Sequence, residues 1–312
     1  MTGKDVNTNQ EFNRLTERLI GEHWDFYPTA GSRIGKHEYD GRLPDLSPAK
    51  ISQREQELRN AVVQLESLDC ATLGDPERMS YRMMELFLKR ELFTFAELRP
   101  LENNPMRQSG FLNMSGYLLR DYAPLEDRLR SAAAALEQVP DFLKTLDRAL
   151  TESLSSHIVD MSVESYAGMA RFYRMDLAPA AQSVGDPEIA KDFTRTLDTA
   201  AASLDRFVER LKSRAGNGEE GFAIGPGLYA GMLATGEGLE APLSDIAAVG
   251  EANLADNLAR IKDVAATISP GKLVAAIVED IGRNHPTAQS LIGDTSDLLE
   301  AIRQALIDFD VI

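Results

Sequence analysis

The chain has 312 residues, enough to bury one large core or two small ones. Its make-up of 43% hydrophobic and 26% charged residues is ordinary for a globular protein. A formal net charge of −16 without any basic stripe opposes binding to nucleic acid or to an anionic membrane.

Cys70 is the single cysteine, so no intrachain disulfide or thiolate metal cluster is possible, and a reducing compartment fits. The first ten residues lack the apolar core of a signal peptide. No run approaches the ~18 apolar residues of a membrane span. A cytoplasmic protein is expected.

In chain order, Phe12, Leu15, Leu19, Ile20 and Trp24 form one helix face between about Thr8 and Phe26. Tyr27-Pro28 ends that helix, and a loop broken by Gly31, Gly35, Gly41 and Pro44 runs to Leu46. Ser47-Pro48 restarts a helix with an N-cap and a first-turn proline, its stripe being Ile51, Leu58, Val62, Leu65 and Leu68. Asp75-Pro76-Glu77 opens another with carboxylates near the positive end of the helix dipole. Met79, Met83, Leu86, Phe87, Phe93 and Leu98 make that helix broadly apolar, predicting a deep position with methionines as gap-fillers.

Arg99 to Gln108 reads as a loop and Phe111 to Asp121 as a short helix. Pro124 and Pro140 each sit where a first-turn proline belongs, heading Leu125, Leu129, Leu136 and then Leu143, Leu146, Leu150. Met161 to Arg174 is a further helix. Asp186-Pro187-Glu188 starts the longest one, striped by Ile189, Phe193, Leu197, Leu204, Phe207, Val208 and Leu211. The clearest break, rich in glycine, spans 215–225. Three more helices are carried by Ile246 to Val264, by Leu273 to Ile281, and by Leu298 to Phe309. No stretch alternates long enough for a sheet, so the fold class is all-α, a multi-helix bundle of about ten to twelve helices.

Catalytic motifs are scarce. A His-Glu-x-x-His zinc site needs two imidazoles four residues apart on one helix face. His37-Glu38 begins that pattern, but Gly41 stands where the second histidine belongs, and the nearby glycines oppose a helix. A set drawn from His37, His157 and His285 is the remaining metal option, and no metal ligand is assigned. Ser155-Ser156-His157 with Asp160 has triad residue types without a strained nucleophile turn, and reads as a polar helix junction. Gly225-Pro226-Gly227 with Gly231 lacks the strand–helix–strand unit of a dinucleotide site. Gly271-Lys272 is followed by leucine, so the magnesium-binding hydroxyl of a phosphate loop is missing. No catalytic residue is assigned.

The segment Ile34 to Leu43 stands out instead. Arg33, His37, Glu38, Tyr39, Asp40 and Arg42 offer donors, acceptors and one group titrating near neutral pH, and are candidate substrate-binding residues. The competing reading ties Arg33 and Arg42 to nearby carboxylates with Tyr39 as an anchor. Ile224 to Leu233 repeats the pattern Ile-Gly-x-x-x-Tyr-x-Gly-x-Leu, which adds Tyr229 as a candidate, although the pair reads better as two unrelated loops.

Phe26-Tyr27-Pro28-Thr29-Ala30-Gly31, followed by Gly35 through Asp45, resembles the opening of a large bacterial domain-of-unknown-function family, number eight-eight-five. Leu119 through Leu129, Val139-Pro140-Asp141-Phe142-Leu143, Ile224 through Leu233 and Asn284-His285-Pro286 match it in order and rough spacing. The resemblance implies an all-helical zinc metallopeptidase related to the gluzincins, with two helical halves around a substrate cleft. It also implies a His-Glu-x-x-Pro-Gly-His motif in the C-terminal half, and this sequence stops about where that half begins. No residue here corresponds to a zinc ligand or to the catalytic glutamate, so no cofactor is expected in this chain, zinc belonging only to a complete member.

The expectation is therefore one α-helical domain over 1–312, an incomplete half of a larger two-lobed fold. It would form one wall of a peptide cleft, without hydrolytic activity alone, and pair with a C-terminal catalytic half or with itself. A self-sufficient helical binding or scaffold protein that has lost catalysis is the alternative.

Overall fold

A computed structural model describes residues 3–216 and 223–311, and these form helix after helix, as the all-α expectation required. The helices are α1 (Gly3–Phe26), α2 (Pro28–Arg33), α3 (Pro48–Glu66), α4 (Asp75–Phe93), α5 (Pro100–Asn103), α6 (Met106–Ser109) and α7 (Ser115–Leu119). They continue as α8 (Leu125–Ala149), α9 (Ser156–Phe172), α10 (Pro187–Ser213), α11 (Gly225–Glu237), α12 (Leu243–Ile268), α13 (Val274–Gly282) and α14 (Leu291–Asp308). Among the described residues there is no strand, only one isolated parallel bridge between Leu154 and Ala215. By contacts the chain divides into two compact units, Met1–Glu240 and Ala241–Ile312. The predicted glycine-rich break lies partly outside the described residues.

The first unit holds two cores. In the larger, α10 packs along α8 and α9, burying Leu129, Leu136, Val139 and Leu146 against Phe193, Leu197, Leu204 and Leu211. The predicted start at Asp186-Pro187-Glu188 is in place: Asp186 caps the helix, its carboxylate accepting from the Glu188 N–H at 2.9 Å, and Pro187 occupies the first turn. The α8 segment differs from the reading of two proline-headed helices. Pro140 lies inside one continuous helix, because Leu136, Leu143 and Leu146 keep a single helical phase across it and bury together. Two fully buried tyrosines then fix the preceding connection: Tyr166 donates to the Pro105 carbonyl at 2.8 Å and Tyr173 to that of Leu112 at 2.6 Å. Burial raises both phenol pKa values, so both hydroxyls remain donors.

The smaller core joins α1, α3 and α4 through Phe12, Leu19, Leu58, Leu65, Tyr81, Met84 and Leu88. Here the expected deep position of α4 holds only in part: Leu86, Phe87 and Phe93 are partly buried, but the methionines expected as gap-fillers are not. Met79 and Met83 are each 66% exposed, whereas Tyr81, Met84, Leu88 and Glu91 face inward. Ser47 sits before α3 without using its side chain as a cap, and instead its own N–H donates to Asp45 at 2.9 Å. The region after Tyr27, predicted as loop, holds α2, since the proline that stops one helix is suited to begin the next. Arg99 to Gln108, also predicted as loop, contains α5 and α6.

A charged cluster crosses this second core. Arg54 is buried and donates to both oxygens of Glu91, at 3.3 and 3.0 Å, with its guanidinium 5.4 Å from the Phe26 ring centre. His23 Nδ1 lies 3.6 Å from the same carboxylate, beyond hydrogen-bonding reach but close enough to act on its charge. Burial alone would raise the Glu91 pKa, but the His23 contact and the Arg54 charge outweigh it and hold the carboxyl below its ordinary range. Burial and the Glu91 charge together push the Tyr27 phenol far up.

A carboxyl with a lowered folded-state pKa contributes stability that is complete above its unfolded value and is lost as pH falls through the folded value. Glu91→Gln leaves Arg54 buried without its counter-charge and is expected to cost about 3 kcal/mol in urea unfolding at pH 7. The wild-type advantage over the variant should shrink as the pH is taken below about 4.

A candidate ligand pocket between the first loop and α7

The segment after α2 is shaped by one nearly buried carboxylate. Asp40 is 8% exposed, and an ionised carboxylate in that position needs donors. The Ser32 hydroxyl donates to Oδ1, and the Tyr122 hydroxyl donates to Oδ2 at 2.7 Å. His37 Nδ1 lies 3.1 Å from the same Oδ2, and its ring stacks on Tyr122 with centroids 3.7 Å apart and planes within 9°. Burial first, and then the hydrogen bond to ionised Asp40, raise the Tyr122 pKa, so its hydroxyl stays a donor.

The next residues are held by α7 and α8. The Gly41 N–H donates to the Tyr117 hydroxyl at 2.8 Å, the Gly41 carbonyl accepts from Gln138 at 2.7 Å, and the Leu43 N–H donates back to Gln138 at 3.1 Å. Gly41 has φ +76°, and a Cβ there would stand 3.1 Å from the Ser131 carbonyl oxygen. The facing segment is fixed by buried Arg128, which donates to the carbonyls of Tyr117, Arg120 and Ala123 at 2.8 to 2.9 Å and to the Asp121 carboxylate at 3.2 Å. That single guanidinium satisfies the carbonyls left open at the end of α7 and sets the turn that carries Tyr122.

Between these segments lies a pocket of about 340 Å³. Its lining includes Ser32, Arg33, His37, Arg42, Asn113, Ser115, Tyr117, Arg120 and Tyr122, over a floor of Leu43, Phe111 and Met114. Of the sequence-derived candidates, Arg33, His37 and Arg42 line it, and Asp40 braces it through His37 and Tyr122. Tyr39 packs under Gly31 with Arg42 5.3 Å above its ring, the anchoring role anticipated for it. Glu38 points outward beside Lys36. Arg42 comes within 3.9 Å of Asp25, whereas Arg33 donates to the Gly110 carbonyl and not to a carboxylate. Tyr229 is half-exposed on α11, a helix seated on α4, and is outside the lining. The two copies of the Ile-Gly-x-x-x-Tyr pattern differ in structure: the first is a turn with a short 3₁₀ helix over His37–Tyr39, and the second is the body of α11.

Tyr117, Arg120 and Tyr122 were not singled out as site residues. For Arg120 and Tyr122 the signal was the segment from Leu119 to Leu129, which resembled the same family as the first loop; Tyr117 lies outside it. A second hollow of about 410 Å³ lies between α8 and α10, lined by Lys144, Arg148, Arg206 and Arg210 with Asp141 and a buried Asp147, which Arg210 and Arg214 hold in ion pairs.

His37 oriented by Asp40 has the arrangement of a general base and its positioning carboxylate. Among the described residues no serine, threonine or cysteine is hydrogen-bonded to that ring. Ser156 and His157 lie in the first turn of α9, with Asp160 one turn on. Among the described residues no three His, Cys, Asp or Glu side chains gather as metal ligands, and a zinc ion has no fitting donor set there.

A family model described as "Bacterial protein of unknown function (DUF885)" matches residues 28–311. The chain belongs to that family. The match takes in both walls of the pocket. A solved structure described as "a putative lipoprotein of unknown function from Shewanella oneidensis" shares the fold, with a TM-score of 0.73 at 17% identity. That comparison covers 96% of this family member but 58% of the other chain, so this chain spans a little over half of that neighbour's length. No curated protein matches it in sequence. No described helix is long and apolar enough to cross a membrane.

Tyr122→Phe removes a hydroxyl bonded to a nearly buried carboxylate and is expected to cost about 1.5–3 kcal/mol in chemical denaturation. Gly41→Ala combines left-handed strain with a backbone clash and should cost at least about 1–2 kcal/mol by the same measurement.

Proposed function

We propose that this chain is the non-catalytic part of a zinc metallopeptidase-like assembly, of the carboxypeptidase or dipeptidase type. It contributes one wall of a peptide-binding cleft and pairs with a separate catalytic lobe. The peptidase element of this reading comes from the resemblance of the motifs between Phe26 and Pro286. Zinc and the hydrolytic water belong to the other lobe, because the described residues offer no donor set for the ion. The chain's own share is to shape and charge the pocket beside Asp40.

The observation that carries the reading is the poor closure of the second unit. In Ala241–Ile312, Ala265 and Ile277 are the buried apolar residues, although its three helices carry many more. Leu254, Leu258, Ile261 and Val264 on α12 and Leu298, Leu299 and Ile302 on α14 are exposed. Exposed apolar surface on this scale favours association, each of these half-covered side chains gaining about 1 kcal/mol when the rest is covered. The longer chain of the Shewanella neighbour supports the same occupant, since a protein sharing this fold has further polypeptide to supply it.

The test is to mix the purified chain with the portion of the Shewanella neighbour that lies outside the shared fold. Complex formation, a rise of several degrees in Tm, and slowed amide exchange in α12 and α14 are expected. Alone, those helices should exchange faster than α8 and α10. A monodisperse monomer that unfolds in one step, takes no partner and protects all its helices equally would favour the self-sufficient scaffold instead.

A further inference from the structure

The pocket beside Asp40 is unbalanced in charge. Arg33, Arg42 and Arg120 line it, and its lining contains no carboxylate. Asp40 stands behind the His37–Tyr122 stack with both oxygens engaged by Ser32, Tyr122 and His37. In a chain of net charge −16, three arginines around one recess are an unusual concentration of cations, Arg42 having Asp25 3.9 Å away and Arg33 and Arg120 having no carboxylate in ion-pair reach among the described residues.

Two of these arginines are also held in place without being neutralised. Arg33 bonds the Gly110 carbonyl through one terminal nitrogen, and Arg120 bonds the Arg33 carbonyl through one of its own. Neither forms an ion pair among the described residues, so each keeps N–H donors on its fork for a ligand. The floor beneath them is apolar, with Leu43 and Met114 buried and Phe111 partly so. A space of about 340 Å³ is at the small end for ligand pockets and suits a single residue-sized group.

We propose that this pocket captures a carboxylate attached to an apolar or aromatic group. Arg33 and Arg120 hold the carboxylate, and the apolar group lies against Phe111 and Met114. A planar monoanion matches the paired forks, and the apolar floor disfavours a fully hydrated phosphate dianion. On the peptide-cleft reading, on which this assignment of source rests, the ligand is the C-terminal residue of a peptide.

The experiment is calorimetric titration of the full chain with N-acetyl-Ala-Phe, its C-terminal amide, 3-phenylpropionate and inorganic phosphate. The free-acid peptide should bind, and the amide should bind at least about tenfold more weakly, the worth of one charge-assisted hydrogen bond. Arg33→Gln and Arg120→Gln should each weaken the acid by about the same factor and weaken the amide by distinctly less. Arg33→Lys, which keeps the charge but loses the fork, should fall between wild type and Arg33→Gln, with Tm checked for every variant. Equal binding of acid and amide would overturn carboxylate capture and leave a peptide cleft standing. Binding of 3-phenylpropionate without either peptide would uphold the carboxylate site and count against the peptide source. No binding of any carboxylate at millimolar concentration, or phosphate binding as tightly as the acid, would overturn the proposal.

Discussion

A carboxylate removed from water must be surrounded by donors, and the first wall of the pocket follows from that requirement at Asp40. Its donors come from Ser32 at the end of α2, from His37 in the same turn, and from Tyr122, 82 residues further along. Satisfying one charge therefore joins two distant parts of the chain. The arginines are arranged by the same closure, since Arg120 reaches the Arg33 carbonyl only when the two segments are adjacent. Arg128 does the corresponding work from beneath, fixing the turn that presents Tyr122.

The two units use similar amphipathic helices to different effect. In the first, α8, α9 and α10 bury their stripes against one another, and the phenols of Tyr166 and Tyr173 tie the loop wall of the pocket to that core. A rigid scaffold under an irregular segment is the usual arrangement for a binding site. In the second, α12 and α13 pack together but leave Leu258, Ile261, Val278 and Ile281 in solvent. Such helices have the composition of a core without enough partners to make one.

The contrast bears on how far periodicity reaches. The stripe of α10 was read correctly because it is narrow, strongly apolar and opened by a true cap at Asp186. In α4 apolar residues occur on several faces, so its own pattern does not choose among them, and Met79 and Met83 were expected inside where they are exposed. The choice was made by α1 and α3, which face Tyr81, Met84, Leu88 and the Glu91 carboxylate that Arg54 requires. Pro140 was misread for a related reason: a proline at a first turn and one inside a helix carry the same local pattern when the phase continues through them.

What the sequence by itself determined was local: the all-α class, the proline-marked helix starts at Pro48, Asp75 and Pro187, and the break at the end of α2 in which Arg33, His37 and Arg42 lie close together. Each depends on spacing within a turn or two, or on the backbone limits of proline. What only the tertiary structure decided was which distant groups meet: Tyr122 on Asp40, Arg120 on Arg33, Gln138 on Gly41 and Leu43, and Glu91 on Arg54. Those pairings arise from burial, which compels each polar group to find a partner at whatever chain separation the packing allows, and no local periodicity encodes them.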